Sequence, residues 1–441
     1  MSYRRKKLLA LFCATALSMT AVAGCTGTKS STGNVVSSET ETNAEETSAQ
    51  SEAGTFSSAD MFTERDLAGT YEESGAVYVT LFDDGIAGET DGVVIDGQMV
   101  TITAEGTYIF SGTLSEGQIV VDADNAKVQI VFDNVDITCA SSAAVYVKSA
   151  EKVFVTLAEG SQNTLRNTDE YVAIDDNNID AVIFAKSDLT LNGTGSLTIV
   201  SAEGHGIVSK DDLKITGGTY DITAAGHALS GKDSVRIADG TYTLATGDDG
   251  VHADDALIVN GGTITVTESY EGLEGLTVTI NDGTIDITAS DDGINTAGEK
   301  MELNGGYIHI LAGGDGVDSN GDLTINGGEI YIDGPSDNGN SAIDYGDRSS
   351  AYVNGGTLVA IGSSGMAEVM SDSSKQKVLM VKLGEQMEAG NVVLTDSEGN
   401  VIVSYTALKT YDCVIISTAE VESGATYTLT TSGTMTEVTA E

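Results

Sequence analysis

The chain predicts an all-β fold, a parallel β-helix or solenoid with about 22 residues per rung, on three observations. Seven segments between Lys210 and Leu358 recur at that interval: Leu213–Thr219, Val235–Thr241, Leu257–Thr263, Val278–Thr284, Met301–Tyr307, Leu323–Glu329 and Ala351–Thr357. Apolar residues within each segment alternate, which is the period of a strand and not of a helix. Every segment also has glycine at its sixth position, most often in Asn-Gly-Gly, a turn signal between two short strands. Units this small cannot bury a core alone; stacked, they bury one another.

Taken in order, Arg4, Arg5, Lys6 and Lys7 precede a short apolar run, Leu8 to Val22, and then Val22-Ala23-Gly24-Cys25. The run is too short for a spanning helix and reads as a signal peptide over residues 1–24. Small residues before a cysteine resemble a bacterial lipoprotein box, so Cys25 is the expected lipidation site. Residues 25–60 are rich in Ser, Thr and Glu, cannot repay the entropy of ordering, and are expected to form a flexible tether. The protein is thereby expected on the extracellular face of the bacterial cell membrane, held there by its lipid anchor alone, and as a monomer.

Residues 61–140 alternate without a clean period and are assigned to an N-terminal cap and first irregular rungs. Stacks of this kind need caps, because an open last rung is a bare sheet edge. Residues 141–370 form the β-helix proper, interrupted by a polar insertion from Asn163 to Asp180. Residues 371–441 lose the repeat and are expected to form a small C-terminal β cap. Pro335 is the chain's one proline, so ladder hydrogen bonds go almost uninterrupted.

Charge sets the strongest limits. The chain holds 21 basic and 67 acidic side chains; the first 24 residues carry four basic and no acidic ones, leaving 17 against 67, a balance of −50. Nucleic acid is excluded as a partner on that ground. Cys139 and Cys413 form no metal or disulfide pattern and are expected to be buried small hydrophobes.

Three columns emerge when the rungs are aligned. Asn192, Asn260, Asn281, Asn304, Asn326 and Asn354 each open a glycine turn, where asparagine tolerates the local backbone and its amide can bond along the axis. A second column, on the residue before the Gly or Ala that opens a strand, reads Asp180, His205, His227, Asp249, Glu271, Asp292, Asp315 and Ser341. Three residues later stand Ile183, Val208, Ser230, His252, Glu274, Asn295, Asp318 and Asp344, and Asp248 and Asp291 add second carboxylates at two rungs. Rungs advance about 4.8 Å, so carboxylates on neighbouring rungs repel unless a hard cation sits between them. Calcium is the expected cofactor, on Asp248, Asp249, Asp291, Asp292, Asp315, Asp318, Asp344, Glu271 and Glu274. Asp-Gly as a mere turn former is the plainer alternative. The third column is an outward Thr-rich face that includes Tyr307, His309 and Tyr331, candidates to lie against a polysaccharide or, more simply, a solvated sheet surface. Lys186, Lys210 and Lys232 also align. Beside calcium, such a lysine is the base a polysaccharide lyase uses; charge compensation in an acidic protein is the plainer account.

The stretches Thr103–Thr113, Gly117–Asp122, Leu157–Leu165, His205–Leu213 and Gly226–Val235 carry a family resemblance. Over roughly residues 100–430 the chain resembles clostridial-type, carbohydrate-binding domain-containing β-helix proteins. The resemblance implies a right-handed parallel β-helix of pectate-lyase-like fold, calcium on the solenoid, and binding of polygalacturonate and cellulose without demonstrated lyase chemistry. It carries calcium onto the aspartates named above, whereas Glu271 and Glu274 depart from the Asp-Gly pattern. With no Trp and 5% aromatics the chain lacks the usual platform for neutral sugars, so an acidic, uronate-rich glycan is the expected partner. A calcium-dependent polysaccharide-binding protein is thus the reading; a calcium-dependent lyase and an adhesin or surface stalk are its rivals.

Overall fold

Ile207, Leu229, Val251, Leu273, Ile294, Val317 and Ile343 follow one another in parallel register, and none is more than 1% exposed. Such ladders are what an apolar residue repeated once per rung must form, and they generate a solenoid of about 11 turns. The computed structural model describes residues 61–440 except 84, 89, 90 and 347. The expected signal peptide, Cys25 and the tether lie outside the described residues.

Each rung has three sides. A first face stacks Val145–Ser149, Ala181–Ala185, His205–Ser209, Leu229–Gly231 and the strands that continue them to Ile343–Tyr345. A second stacks Lys152–Leu157, Asp188–Gly193, Asp212–Ile215 and their successors to Ala351–Val353. The third stacks Gln162–Asn167, Ser196–Ser201, Thr219–Ala224 and onward to Thr357–Gly362. On this third face Ile264 and Val266 point inward and Thr263 and Thr267 are exposed, as alternation requires. The glycine turns between the second and third faces are packed backbone on backbone. Gly306 has φ +83°, and a Cβ there would lie 2.6 Å from the Gly283 carbonyl oxygen, so no other residue fits.

The asparagine ladder forms, but not along the whole column. Asn281, Asn304, Asn326 and Asn354 each donate through Nδ2 to the Oδ1 of the preceding rung's asparagine, at 2.7, 2.8, 2.8 and 2.9 Å. Asn192 stands apart, because Thr216 and Ala238 occupy the two rungs between it and Asn260. A feature that the alternating pattern did not announce fills the gap: residues 61–71 lie along the solenoid as a strap, with a short helix at Glu64–Ala68. Thr63 caps that helix reciprocally with Asp66. Asn192 Nδ2 and Thr216 Oγ1 both donate to the Asp66 carbonyl. The Asp66 carboxylate, wholly buried, takes Lys152 Nζ at 2.6 Å, Thr190 Oγ1 at 2.7 Å and the Thr63 N–H at 2.8 Å. Burial alone would raise its pKa; the hydrogen bonds from Lys152, Thr190 and Thr63 outweigh it and hold the group at about 2, against the usual 3.8.

Two register assignments need correction. Ile183 pairs with Ile207 and Phe184 with Val208, so Asp180 and Ile183 sit one position out of the columns expected for them. Residues 163–167 belong to a strand whose Asn163, Leu165 and Asn167 are buried, so the insertion is confined to about residues 168–180. That insertion roofs the outward side chains of Tyr146, Phe184 and Val208, with Tyr146 Oη donating to Asp175 at 2.7 Å. At the far end Tyr411–Ser417 pairs antiparallel with Thr357–Gly362 and closes the last rung, and a four-stranded sheet packs beyond it.

Replacing Asp66 with alanine strands Lys152 and frees the strap; the expected cost is about 3–5 kcal/mol, read as a lowered denaturation midpoint. Because the folded pKa lies below the unfolded one, this contribution is present above pH 3.8 and fades as pH falls toward 2. Wild type therefore loses more stability than the variant across that window. Asn304→Leu leaves Asn281 Oδ1 and Asn326 Nδ2 without their partner and is expected to cost about 1–3 kcal/mol by the same measurement.

Candidate functional site

The acidic column lies where the third face turns into the first. Its side chains do structural work first, since five of them accept the backbone N–H of the next rung. The His227 N–H donates to His205 Nδ1 (2.9 Å) and the Asp249 N–H to His227 Nδ1 (3.2 Å). The Glu271 N–H donates to Asp249 Oδ1 (3.4 Å), the Asp315 N–H to Asp292 Oδ1 (2.7 Å) and the Ser341 N–H to Asp315 Oδ1 (2.5 Å). These bonds fix the rotamers. They leave each aspartate a second oxygen to face its neighbours.

The column divides into two groups. In the first, His205, His227 and His252 form a stack with ring centroids 4.7 and 4.5 Å apart, and donor atoms of Asp249, Glu271 and Glu274 lie within 4.8 Å of one another. His252 Nδ1 sits 3.1 Å from Asp249 Oδ2 and 2.5 Å from Glu274 Oε2. Burial disfavours its charge, but the hydrogen bonds to Asp249 and Glu274 prevail and raise its pKa to about 10. Burial likewise pushes Asp249 upward, and His227 and His252 more than reverse this, holding it well below the usual carboxylate range. This group carries its own cation. Glu271 is the exception: burial and the charges of Glu274, Asp249 and Asp292 push it up to about 8, although Asn295 Nδ2 donates to it at 3.0 Å.

The second group, Asp292, Asp315 and Asp318, also keeps its donor oxygens within 4.8 Å, with no basic side chain among them. Burial raises all three, and their mutual charges with Asp344 and Asp291 add to it, giving values of about 6, 7 and 6. Asp344 pairs in register with Asp318 on the next rung. Between the groups lies Asn295, in register with Glu274 before it and Asp318 after it, and its buried Oδ1 has no hydrogen-bond partner. Gly314 makes the approach possible: a Cβ there would lie 2.4 Å from a carboxylate oxygen of Asp291 and of Asp292. Hard oxygen donors, an orphaned amide carbonyl and no internal counter-charge fit a calcium-type ion. Asp248 and Asp291 fall outside the close groups; the Asp248 side chain is 49% exposed, 3.8 Å from His227 Nε2. Sequence spacing placed Asn295 in the column but gave no sign that its oxygen is orphaned. Nor did it mark Gly314.

Lys186, Lys210 and Lys232 are in register on successive rungs, at the opposite edge of the first face. Lys232 precedes the rung of Asp249 and stands three rungs, about 14 Å, from that of Asp292. The lysines and the second acidic group are therefore not brought together. Of the Tyr307, His309 and Tyr331 patch, Tyr307 is 42% exposed, but Tyr331 stacks under Tyr405 of the C-terminal cap at 5.2 Å. His309 is held between Asp286 (3.0 Å) and Asp333 (3.6 Å). The cap thus covers part of the face expected to be open.

Against known proteins, 135 residues are 42% identical to a carbohydrate-binding domain-containing protein of Acetivibrio thermocellus. That alignment takes in 30% of this chain and 47% of the relative, so the match spans about half of the relative's length. Among solved structures, a polysaccharide lyase-like protein from C. thermocellum, in a gadolinium derivative, is 27% identical with a TM-score of 0.45, over 63% of this chain and 99% of that one. The sequence pattern of one family covers residues 96–256 and again 248–422, the rungs just described and part of the C-terminal cap. The chain belongs to the carbohydrate-binding domain-containing protein family.

Proposed function

We propose that this is a surface-anchored, calcium-loaded β-helix that binds acidic polysaccharide and does not cleave it. Family membership supports the sugar ligand. The carboxylate group Asp292, Asp315 and Asp318, held together without a counter-charge, carries the calcium reading. Asp292, Asp315 and Asp318 would hold the ion, with Asn295 Oδ1 and Asp344 as further oxygen donors. Bound there, calcium supplies a positive site on a strongly acidic surface and attracts glycan carboxylates that the bare protein repels. The chain's own part is rigidity: rung register and the N–H bonds to Asp292 and Asp315 fix the spacing of the donors before any ion arrives. The first group is less suited to a hard ion, because His252 already lies between Asp249 and Glu274. The lysines stand rungs away from the second group, which disfavours lyase chemistry there. The anchoring rests on the Val22–Cys25 motif.

Affinity electrophoresis through polygalacturonate tests the binding. Retardation with calcium, abolished by chelator, is the expected result. Retention indifferent to chelator overturns the calcium role, and no retention beside calcium-dependent thermal stability points to a stalk. An unsaturated product absorbing after incubation with calcium at alkaline pH would show a lyase.

Calcium's effect on stability should depend on pH. The three aspartates titrate near 6, 7 and 6 when folded and near 3.8 when unfolded, so the metal-free fold holds more protons than the open chain between those values. Their contribution is fully present below about pH 4 and lost as pH rises through about 7. Calcium at a hundredfold excess over Kd is expected to restore about 2.7 kcal/mol at pH 8 and little at pH 4. Asp315→Asn should remove most of that calcium response, read as the shift in Tm.

A further inference from the structure

The first face carries a second charged column. Lys148, Lys186, Lys210 and Lys232 occupy equivalent places on four successive rungs, one residue beyond the paired positions Val147, Ala185, Ser209 and Gly231. Three backbone bonds lock the stack: the N–H of Lys186 donates to the Val147 carbonyl, that of Lys210 to Ala185 and that of Lys232 to Ser209, at 3.0, 2.8 and 3.0 Å. All four side chains are exposed. Ammonium groups held at the rung spacing of about 4.8 Å would repel by about 1 kcal/mol even in water. A chain with more than three acids for every base would be expected to quench them.

It does so at one rung only. Lys148 pairs with Asp122 at 2.6 Å, whereas Lys186, Lys210 and Lys232 form no ion pair among the described residues. The acids that follow the lysines in sequence have other partners: Asp211 is crowded by Asp188 and Asp233, and Asp212 takes Ser234 Oγ at 2.5 Å and lies 3.7 Å from both Lys214 and Arg236. Charge compensation, the plainer account of these lysines, therefore takes no ion-paired form among the described residues. Lys210 Nζ instead stands 5.4 Å over the Phe184 ring, at the margin of the insertion that roofs Tyr146, Phe184 and Val208. The column changes sign at Asp254, the next position in register.

We propose that this lysine ladder is the direct contact for an anionic polysaccharide strand lying along the solenoid axis, one sugar carboxylate to each ammonium. The inference rests on the reading that the chain binds acidic polysaccharide, and it names where. A hexuronate polymer carries one carboxylate per ring, and a ring advances the polymer by a length close to one rung. Nucleic acid shares the negative charge, but its more highly charged backbone meets the acidic remainder of the surface at higher cost. A glycan seated on the lysines and continued along the same face runs toward the rungs of Asp292 and Asp315.

The test compares Lys186→Gln/Lys210→Gln/Lys232→Gln with the charge-matched control Lys127→Gln/Lys300→Gln/Lys375→Gln, in calcium, by calorimetry against polygalacturonate, fully methyl-esterified pectin and single-stranded DNA. The ladder variant should bind polygalacturonate about tenfold more weakly with unchanged Tm and a shallower salt dependence; the control should match wild type. Wild type should bind the methyl ester and DNA much more weakly than polygalacturonate. Equal losses in both variants, or none in the ladder variant, overturn the ladder while leaving polysaccharide binding intact. Equal binding of DNA overturns the choice of ligand. Failure of wild type to bind polygalacturonate removes the parent reading itself, an outcome no lysine variant can mimic.

Discussion

Everything in this molecule follows from parallel register at about 4.8 Å per rung. That spacing sets each side chain on the like position of the next rung, and the consequence depends on chemistry. Aliphatic residues gain a continuous core. Amides gain a chain of hydrogen bonds, as from Asn354 through to Asn260. Rings gain a stack, in Tyr220 on Tyr242 inside and in the three histidines outside. Carboxylates and ammonium groups gain only repulsion, so a charged ladder stores a demand for something of opposite sign.

The acidic turn shows how that demand is preserved. An aspartate that merely closed a turn would spend its hydrogen-bonding capacity on its own loop. Here Asp292 and Asp315 each give one oxygen to the N–H of the next rung, which holds the side chain still. Rotation away from its neighbours, the usual relief for crowded surface acids, is thereby denied. Gly314 sharpens the effect by leaving room for Asp291 and Asp292 together.

Periodic features were legible in the sequence and aperiodic ones were not. The rung length, inward ladders, asparagine column and positions of Asp249, Asp292, Asp315 and Asp318 all follow from counting residues. Asp66 does not, because it meets Thr190 across 124 residues of chain and Thr216 across 150, and no local pattern reports such a distance. The covering of Tyr331 by Tyr405 is likewise a tertiary event, decided by how the C-terminal cap folds back. Asp180 and Ile183 were misplaced by one residue because alignment on His205 and Val208 spaces that rung at 25 residues, whereas Ile183 pairs with Ile207, 24 residues on. The missing partner of Asn295 Oδ1 depends on side-chain rotamers that spacing cannot express.

One face therefore carries three electrostatic solutions in sequence along the axis. The lysine rungs remain largely unpaired. The rungs of His252, Asp249 and Glu274 neutralise themselves, since an imidazolium lies between two carboxylates. The rungs of Asp292, Asp315 and Asp318 remain over-charged and respond by binding protons. A ligand able to satisfy both unbalanced ends must offer repeated negative charge to the first and accept a bridging cation at the last. A polyuronate meets both conditions, whereas a neutral glucan meets neither. The proposed preference for acidic sugar thus follows from the order of charges along the stack, which net charge alone would have concealed.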